Sequence, residues 1–150
     1  IHFGVESGSP RIAELSDKRL TVEDHRRAVA LARRVGMETL CFFLLGYPDE
    51  TEEEMRQTVR LAKELNPTYV SFHRISPYPG TLLYDALPPD TRDLFPVFAG
   101  GDEDRRNVDR LVRRALRSYY VRPRYMLWRL LRSSPPSLWR QLRLFAGYFR

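Results

Sequence analysis

Thr39-Leu40-Cys41-Phe42-Phe43-Leu44-Leu45, followed by Gly46-Tyr47-Pro48-Asp49-Glu50 and Thr51-Glu52-Glu53-Glu54, is the stretch on which the fold turns. Its first seven residues carry no charge and no apolar–polar alternation. A run this short and this apolar predicts a strand buried on both faces, as in a parallel sheet. Gly46-Tyr47-Pro48 breaks the run. Thr51, with Glu54 three residues on, makes a capping box that opens a helix. Met55, Val59, Ala62 and Leu65, with Leu61 beside them, line the helix face, and Asn66-Pro67 ends it.

Working outward, Tyr69 to Ile75 is rich in aromatic and β-branched residues and reads as another strand. On the other side, Thr21-Val22-Glu23-Asp24 opens a helix with a capping hydroxyl and acids in its first turn. Val22, Ala28, Val29, Ala32 and Val35 form its stripe, and Gly36 supplies a left-handed stop. His2 to Glu6 is a short strand closed by Ser7-Gly8-Ser9-Pro10. Strand starts roughly 30–35 residues apart match the length of a βαβ unit, so the sheet is parallel with right-handed crossovers. Three strands leave one sheet face bare. Further strands are therefore expected before Ile1 or from a partner, and the start at Ile1 reads as a piece of a longer gene product.

Composition bounds the function. Of 150 residues, 43% are apolar and 29% charged, enough for a core and against wholesale disorder. No apolar run is long enough to span a bilayer, and no basic-then-apolar leader is present, so a cytoplasmic protein is expected. The single cysteine, Cys41, excludes a disulfide framework and any cysteine-only metal site made by this chain, and no metal ligands are assigned. Cys41 itself reads as a core residue and His25 as a surface one. Residues 1–90 carry a net charge of −3 and residues 91–150 a net of +9. The division falls at turn-rich Leu87-Pro88-Pro89-Asp90 and Ala99-Gly100-Gly101-Asp102. It gives an α/β module at 1–87, a linker at 88–104 and a basic helical region at 105–150.

Ligands of parallel α/β sheets bind beyond the carboxyl ends of the strands. Here those ends read Gly4-Val5-Glu6-Ser7-Gly8, Leu45-Gly46-Tyr47-Pro48-Asp49-Glu50-Thr51, and Ser76-Pro77-Tyr78-Pro79-Gly80-Thr81. Glycine after each strand suits either plain loop geometry or close backbone approach to a ligand. A carboxylate at the mouth, Glu6, with Ser7 beside it, can accept bonds from ribose hydroxyls or an ammonium group.

Gly4-Val5-Glu6-Ser7-Gly8-Ser9, Phe43-Leu44-Leu45-Gly46-Tyr47-Pro48-Asp49-Glu50-Thr51 and Pro77-Tyr78-Pro79-Gly80-Thr81, in that order, resemble the second half of a radical S-adenosylmethionine enzyme core. The nearest flavour is the subgroup with an upstream cobalamin-binding domain. The resemblance implies an incomplete parallel (β/α) barrel, the second half of a partial TIM barrel, followed by a basic α-helical tail. It also implies an enzyme that reductively cleaves S-adenosylmethionine at a [4Fe–4S] cluster to start a methylation or rearrangement, on a small-molecule or lipid-like substrate. The family's cysteine loop has no counterpart here, nor does the signature of cobalamin binding. The cluster ligands, and cobalamin if used, would therefore lie upstream, and this piece alone would be inactive. By the same resemblance, Glu6 and Ser7 take the ribose or amino end of the cofactor, and the Leu45-Gly46 backbone lies along the adenine. Asp49 stands where the family usually has glycine, which predicts a turn of different backbone shape.

His73, Arg74 and Tyr78 are the candidates for contacting substrate. Strand alternation sends one of His73 and Arg74 into the barrel interior, where a structural histidine is the competing reading. The basic region holds 13 arginines and one acid, Asp109, from Arg105 to Arg150. Leu111, Val112, Ala115, Leu116 and Tyr119 fall at helical spacing, Arg122-Pro123 breaks that helix, and Ser137 caps a last one carrying Leu138, Leu142, Phe145 and Phe149. Such a region can pack on the barrel, track nucleic-acid phosphates, or lie on an anionic membrane as a peripheral contact. The Trp/Phe/Leu face favours lipid over nucleic acid. The alternative function is accordingly a non-catalytic α/β scaffold whose basic amphipathic tail docks on membrane or nucleic acid.

Overall fold

A computed structural model describes residues 1–15, 19–86 and 102–132. Strands β1 (His2–Glu6), β2 (Leu40–Leu45) and β3 (Tyr69–Arg74) form one parallel sheet in the order β1-β2-β3. Helix α1 (Pro10–Leu15) follows β1, and α2 (Val22–Arg34) returns the chain to β2. Helix α3 (Glu52–Leu65) joins β2 to β3, and α4 (Leu82–Asp85), α5 (Asp102–Tyr120) and α6 (Pro123–Arg132) follow. This is the incomplete parallel (β/α) barrel with a helical tail that the sequence implies. The short helices α1 and α4 are additions.

Both long crossover helices start where their caps direct. Thr21 accepts from the Asp24 amide while Asp24 reaches back to Thr21, and Thr51 and Glu54 repeat the arrangement. Each box satisfies amides that the first helical turn leaves without partners. At the far end of α3, Asn66 adopts the left-handed conformation (φ 47°) and Pro67 stops propagation.

The two faces of β2 differ. Cys41, Phe43 and Leu45 are buried beneath the helices, whereas Leu40, Phe42 and Leu44 are half-buried. The expectation of burial on both faces is met on one face only, because α2 and α3 pack on the same side. On that side Phe43 stacks on Phe72 at 5.1 Å between ring centroids. On the other, Phe42 lies between the rings of His2 (5.8 Å) and His73 (6.1 Å). His25 also departs from its surface reading. It is buried with Val29 and Ala32 on the core face of α2, while Val35 is exposed.

Helix α5 lies alongside β3. Asp109, in its first half, accepts from Arg74 at 2.5 Å near the strand's carboxyl end. Tyr119, near its last turn, donates its hydroxyl to the Pro67 carbonyl before the strand begins. The helix therefore runs antiparallel to β3, as a crossover helix does. Val108, Ala115 and Tyr119 are its buried face. Packing divides the chain into Ile1–Tyr119 and Tyr120–Arg150, so most of α5 belongs with the α/β module although its charge resembles the tail. In the second unit, Tyr125 meets Tyr120 edge-on at 5.4 Å and Trp128 at 6.0 Å. The expected break at Arg122-Pro123 separates α5 from α6. Residues 88–101 of the expected linker, and the helix expected from Ser137, lie outside the described residues.

Candidate functional site

The site is built from three strand ends. At the first, the Ser7 amide donates to the Val5 carbonyl at 2.9 Å, closing a three-residue turn around Glu6. Glu6 has φ 67°, a left-handed conformation that a side chain with a Cβ seldom takes. The parallel register with β2 also slips between Gly4 and Glu6. A bulge and a positive φ together set the carboxylate at the mouth. That conformation costs on the order of 1–3 kcal/mol unless its surroundings enforce it.

The residues after Glu6 show what enforces it. Ser7 is buried with its hydroxyl 3.1 Å from the Thr58 hydroxyl on α3, and the Gly8 amide donates to the same oxygen at 2.9 Å. The Thr58 proton lies toward the Glu54 carbonyl at 3.3 Å, which leaves Ser7 to donate. A Cβ on Gly8 would fall 2.7 Å from the Gln57 carbonyl oxygen and 2.8 Å from the Thr58 Cα. The loop after β1 is thus pressed directly onto the backbone of α3. Arg11 adds a two-pronged ion pair to Glu54, both nitrogens at 2.8 Å, and donates to the Asp49 carbonyl at 2.8 Å. Ser9 donates to Glu54 at 3.0 Å. The hydrogen bonds from Arg11, then those from Thr51, hold the Glu54 carboxyl well below the usual carboxylate range.

At the second end, Gly46 turns with φ 85° and Glu50 folds back beneath it. One Glu50 oxygen accepts from the Gly46 amide at 2.6 Å and the Tyr47 amide at 3.0 Å. Its other oxygen is buried and has no hydrogen-bond partner among the described residues. Burial raises the Glu50 carboxyl, and the two amides oppose that rise. Tyr47 is buried next to both acids: burial first, then the charges of Glu6 and Glu50, raise its phenol. Asp49 stands in this turn where the resembled family usually has glycine. Asp49 itself takes φ 57°, and the Glu50 amide closes the turn on the Tyr47 carbonyl at 3.0 Å. A short polar side chain tolerates this region better than most.

Glu6, Gly46, Tyr47 and Glu50 therefore gather at adjacent strand ends. Leu45 is buried on the helix side, so only its backbone reaches that edge. Ser7 is turned into α3 rather than toward the mouth. Of the residues assigned to substrate, His73 lies on the open sheet face, held to Ser71 at 2.7 Å, and Arg74 lies on the opposite face with Asp109. Tyr78 is exposed in the loop beyond. An open groove of about 650 Å³ separates the Gly46–Glu50 loop from α5, with Tyr47, Glu50, Met55, Val108, Leu111 and Arg114 among its walls.

Residues 1–62 match the Radical SAM superfamily. The matched segment holds β1, β2, both capping boxes and every residue of the mouth cluster. The chain is 34% identical over 137 residues to an uncharacterised methyltransferase of Pyrococcus horikoshii, covering 85% of this chain and 30% of the relative. It is 26% identical over 87 residues to the anaerobic magnesium-protoporphyrin IX monomethyl ester cyclase of Rubrivivax gelatinosus, covering 58% and 16%. It is 36% identical over 83 residues to the tRNA-2-methylthio-N(6)-dimethylallyladenosine synthase of Baumannia cicadellinicola subsp. Homalodisca coagulata, covering 54% and 18%. The chain thus spans less than a third of the length of each.

Two cofactors implied by that superfamily meet different fates here. The Glu6 carboxylate has the acceptor chemistry that the ribose hydroxyls or ammonium of S-adenosylmethionine would need, whereas Gly46 is buried and its amide is taken by Glu50. An iron–sulfur cluster does not fit the residues present. Among the described residues no three His, Cys, Asp or Glu side chains come together as a metal site. Cys41 lies buried in β2, where burial pushes its thiol up to about 12.

Proposed function

We propose that this chain is the adenosylmethionine-facing half of a radical enzyme barrel, and that the whole protein transfers a methyl group or rearranges a small or lipid-like substrate. The observation that supports it is Glu6, a carboxylate held in a strained turn at the strand mouth beside Tyr47. A loop needing only to turn would place glycine there. In this reading Glu6 accepts from the ribose hydroxyls or the ammonium, and the adenine lies along the Leu45-Gly46 backbone. Glu50 fixes that backbone by taking two of its amides. His73 and Phe42 lie together on the open sheet face, and in this reading His73 orients the substrate. Adenosylmethionine, when bound, would supply a carbon-centred radical on one-electron reduction. The motif resemblance also favours a cobalamin-binding member of the superfamily, and the methyltransferase relative accords with methyl transfer.

The test is Glu6→Gly in the intact enzyme. Glycine removes the carboxylate and relieves the strained φ at once. Calorimetric titration with S-adenosylmethionine should show about 10- to 100-fold weaker binding, the loss of charge-assisted hydrogen bonds, with an unchanged or higher melting temperature. Unchanged affinity with a lower melting temperature would make Glu6 a structural residue and remove the basis of the proposal.

A further inference from the structure

Helix α6 is turned inside out with respect to a soluble helix. Its exposed large apolar side chains are Met126 (55%), Leu127 (59%), Leu130 (57%) and Leu131 (78%), with Arg124 and Arg132 exposed as well, while Tyr125, Trp128, Arg129 and the preceding Arg122 are half-buried. At 100° per residue the four apolar side chains occupy one continuous arc of about 140°. Arg124 borders one edge of the arc, and Arg122 and Arg129 border the other. The aromatic side is already engaged: Tyr125 packs with Tyr120 and Trp128, the Arg122 guanidinium lies 5.9 Å over Tyr125, and Arg132 lies 5.5 Å over Trp128. The apolar arc faces outward.

Charge says what covers it. Residues 120–150 contain seven arginines and no acidic residue, so the unit carrying α6 has a formal charge of +7. A partner protein with an ordinary mixed surface gains little from so uniform a field. A second copy of the same unit is repelled by it. An anionic lipid surface meets both features, because acyl chains receive the apolar arc while headgroups receive the flanking arginines. No helix among the described residues is long and apolar enough to cross a membrane. We propose that the Met126–Leu127–Leu130–Leu131 face of α6 lies in the interface of an anionic bilayer, with Arg124 at its rim.

The experiment is flotation of the full chain with vesicles of phosphatidylcholine alone or with added phosphatidylserine, at physiological salt. Retention on the anionic vesicles should exceed that on neutral ones by about tenfold, since each arginine near the surface adds to binding. The double change Leu127→Ser with Leu131→Ser should lower anionic retention by about tenfold while the far-ultraviolet circular dichroism and melting temperature stay unchanged. Arg124→Glu, which leaves the apolar arc intact, should weaken anionic retention and leave neutral retention unchanged. Equal retention on both vesicle types would overturn the proposal. So would a double variant that binds as well as the parent, since charge alone would then suffice. A drop in melting temperature would show that the chain itself covers the arc. Dimerisation by light scattering, lost in the double variant, would make a second copy the occupant.

Discussion

The carboxylates of this chain illustrate how position rather than residue type sets behaviour. Asp24 is lowered to about 2 by hydrogen bonds from Thr21 and then Arg27, and Glu54 is lowered chiefly by Arg11. A group whose folded pKa is depressed contributes stability above its unfolded pKa and loses it as pH falls through the folded value. Both groups therefore contribute fully at neutral pH. Their contribution should decline as pH drops below the ordinary 3.8 and 4.5. Glu50 works in the opposite sense, because burial raises it. Its contribution is greatest below its ordinary value and is lost as pH rises through the raised one. Urea midpoints between pH 7 and pH 2 should show a net fall on the acid side, and Arg11→Met should flatten it. Gly8 gives a sharper single-site expectation. An added methyl group there would meet backbone atoms at 2.7 and 2.8 Å, so no side-chain rotation can accommodate Gly8→Ala. The change should cost about 1–3 kcal/mol in thermal unfolding. The sequence shows a glycine after a strand, but not that α3 lies against it. Sequence spacing carries no record of a contact fifty residues away.

At the scale of elements, α3 is the joint between the sheet and its mouth. Its core face holds Met55, Leu61, Ala62 and Leu65, and Thr58 takes the place that periodicity would give to Val59. Thr58→Val keeps the volume and removes the acceptor for the Gly8 amide and the Ser7 hydroxyl. Leaving buried polar groups without partners should cost about 1–3 kcal/mol, seen as a lower urea midpoint with unaltered helix content. The three strands, their order and the two capped helices are legible in the sequence because caps and apolar runs are local signals. The position of Glu6 at the mouth is legible for the same reason. Arg11 and Tyr47 are not, since an arginine on a short helix and a tyrosine in a loop gain their roles only when β1 and β2 lie side by side. Ser7 reads as a mouth residue only by its adjacency to Glu6. Adjacent residues after a strand turn to opposite sides, and the hydroxyl goes to α3.

The molecule as a whole draws a line that charge does not follow. Arginine-rich sequence begins at 105, yet packing carries α5 into the first unit as far as Tyr119. The reason is that a helix may present arginines outward and still bury Val108, Ala115 and Tyr119. Composition averages over both faces and reports the charged one. Tyr119→Ala should therefore act as a core change in the α/β module. Loss of a fully buried ring and of its bond to Pro67 should cost about 3–5 kcal/mol in thermal unfolding. A loss below about 1 kcal/mol would detach α5 from the module. The open face carrying His2, Phe42 and His73 belongs to the same scale. It is the side on which the remaining strands of a barrel would close.

Glu54 has a consequence for how such a chain can evolve. One carboxylate completes the cap of α3 through Thr51, receives Ser9 from the loop after β1 and pairs with Arg11 on α1. A substitution at position 54 alone forfeits all three contacts together, and later changes at 9, 11 or 51 then lose little more. The order of steps thus matters, and the four positions form a locus of epistasis. Lineages that drift there are expected to move through paired replacements, with residues 11 and 54 exchanging in step.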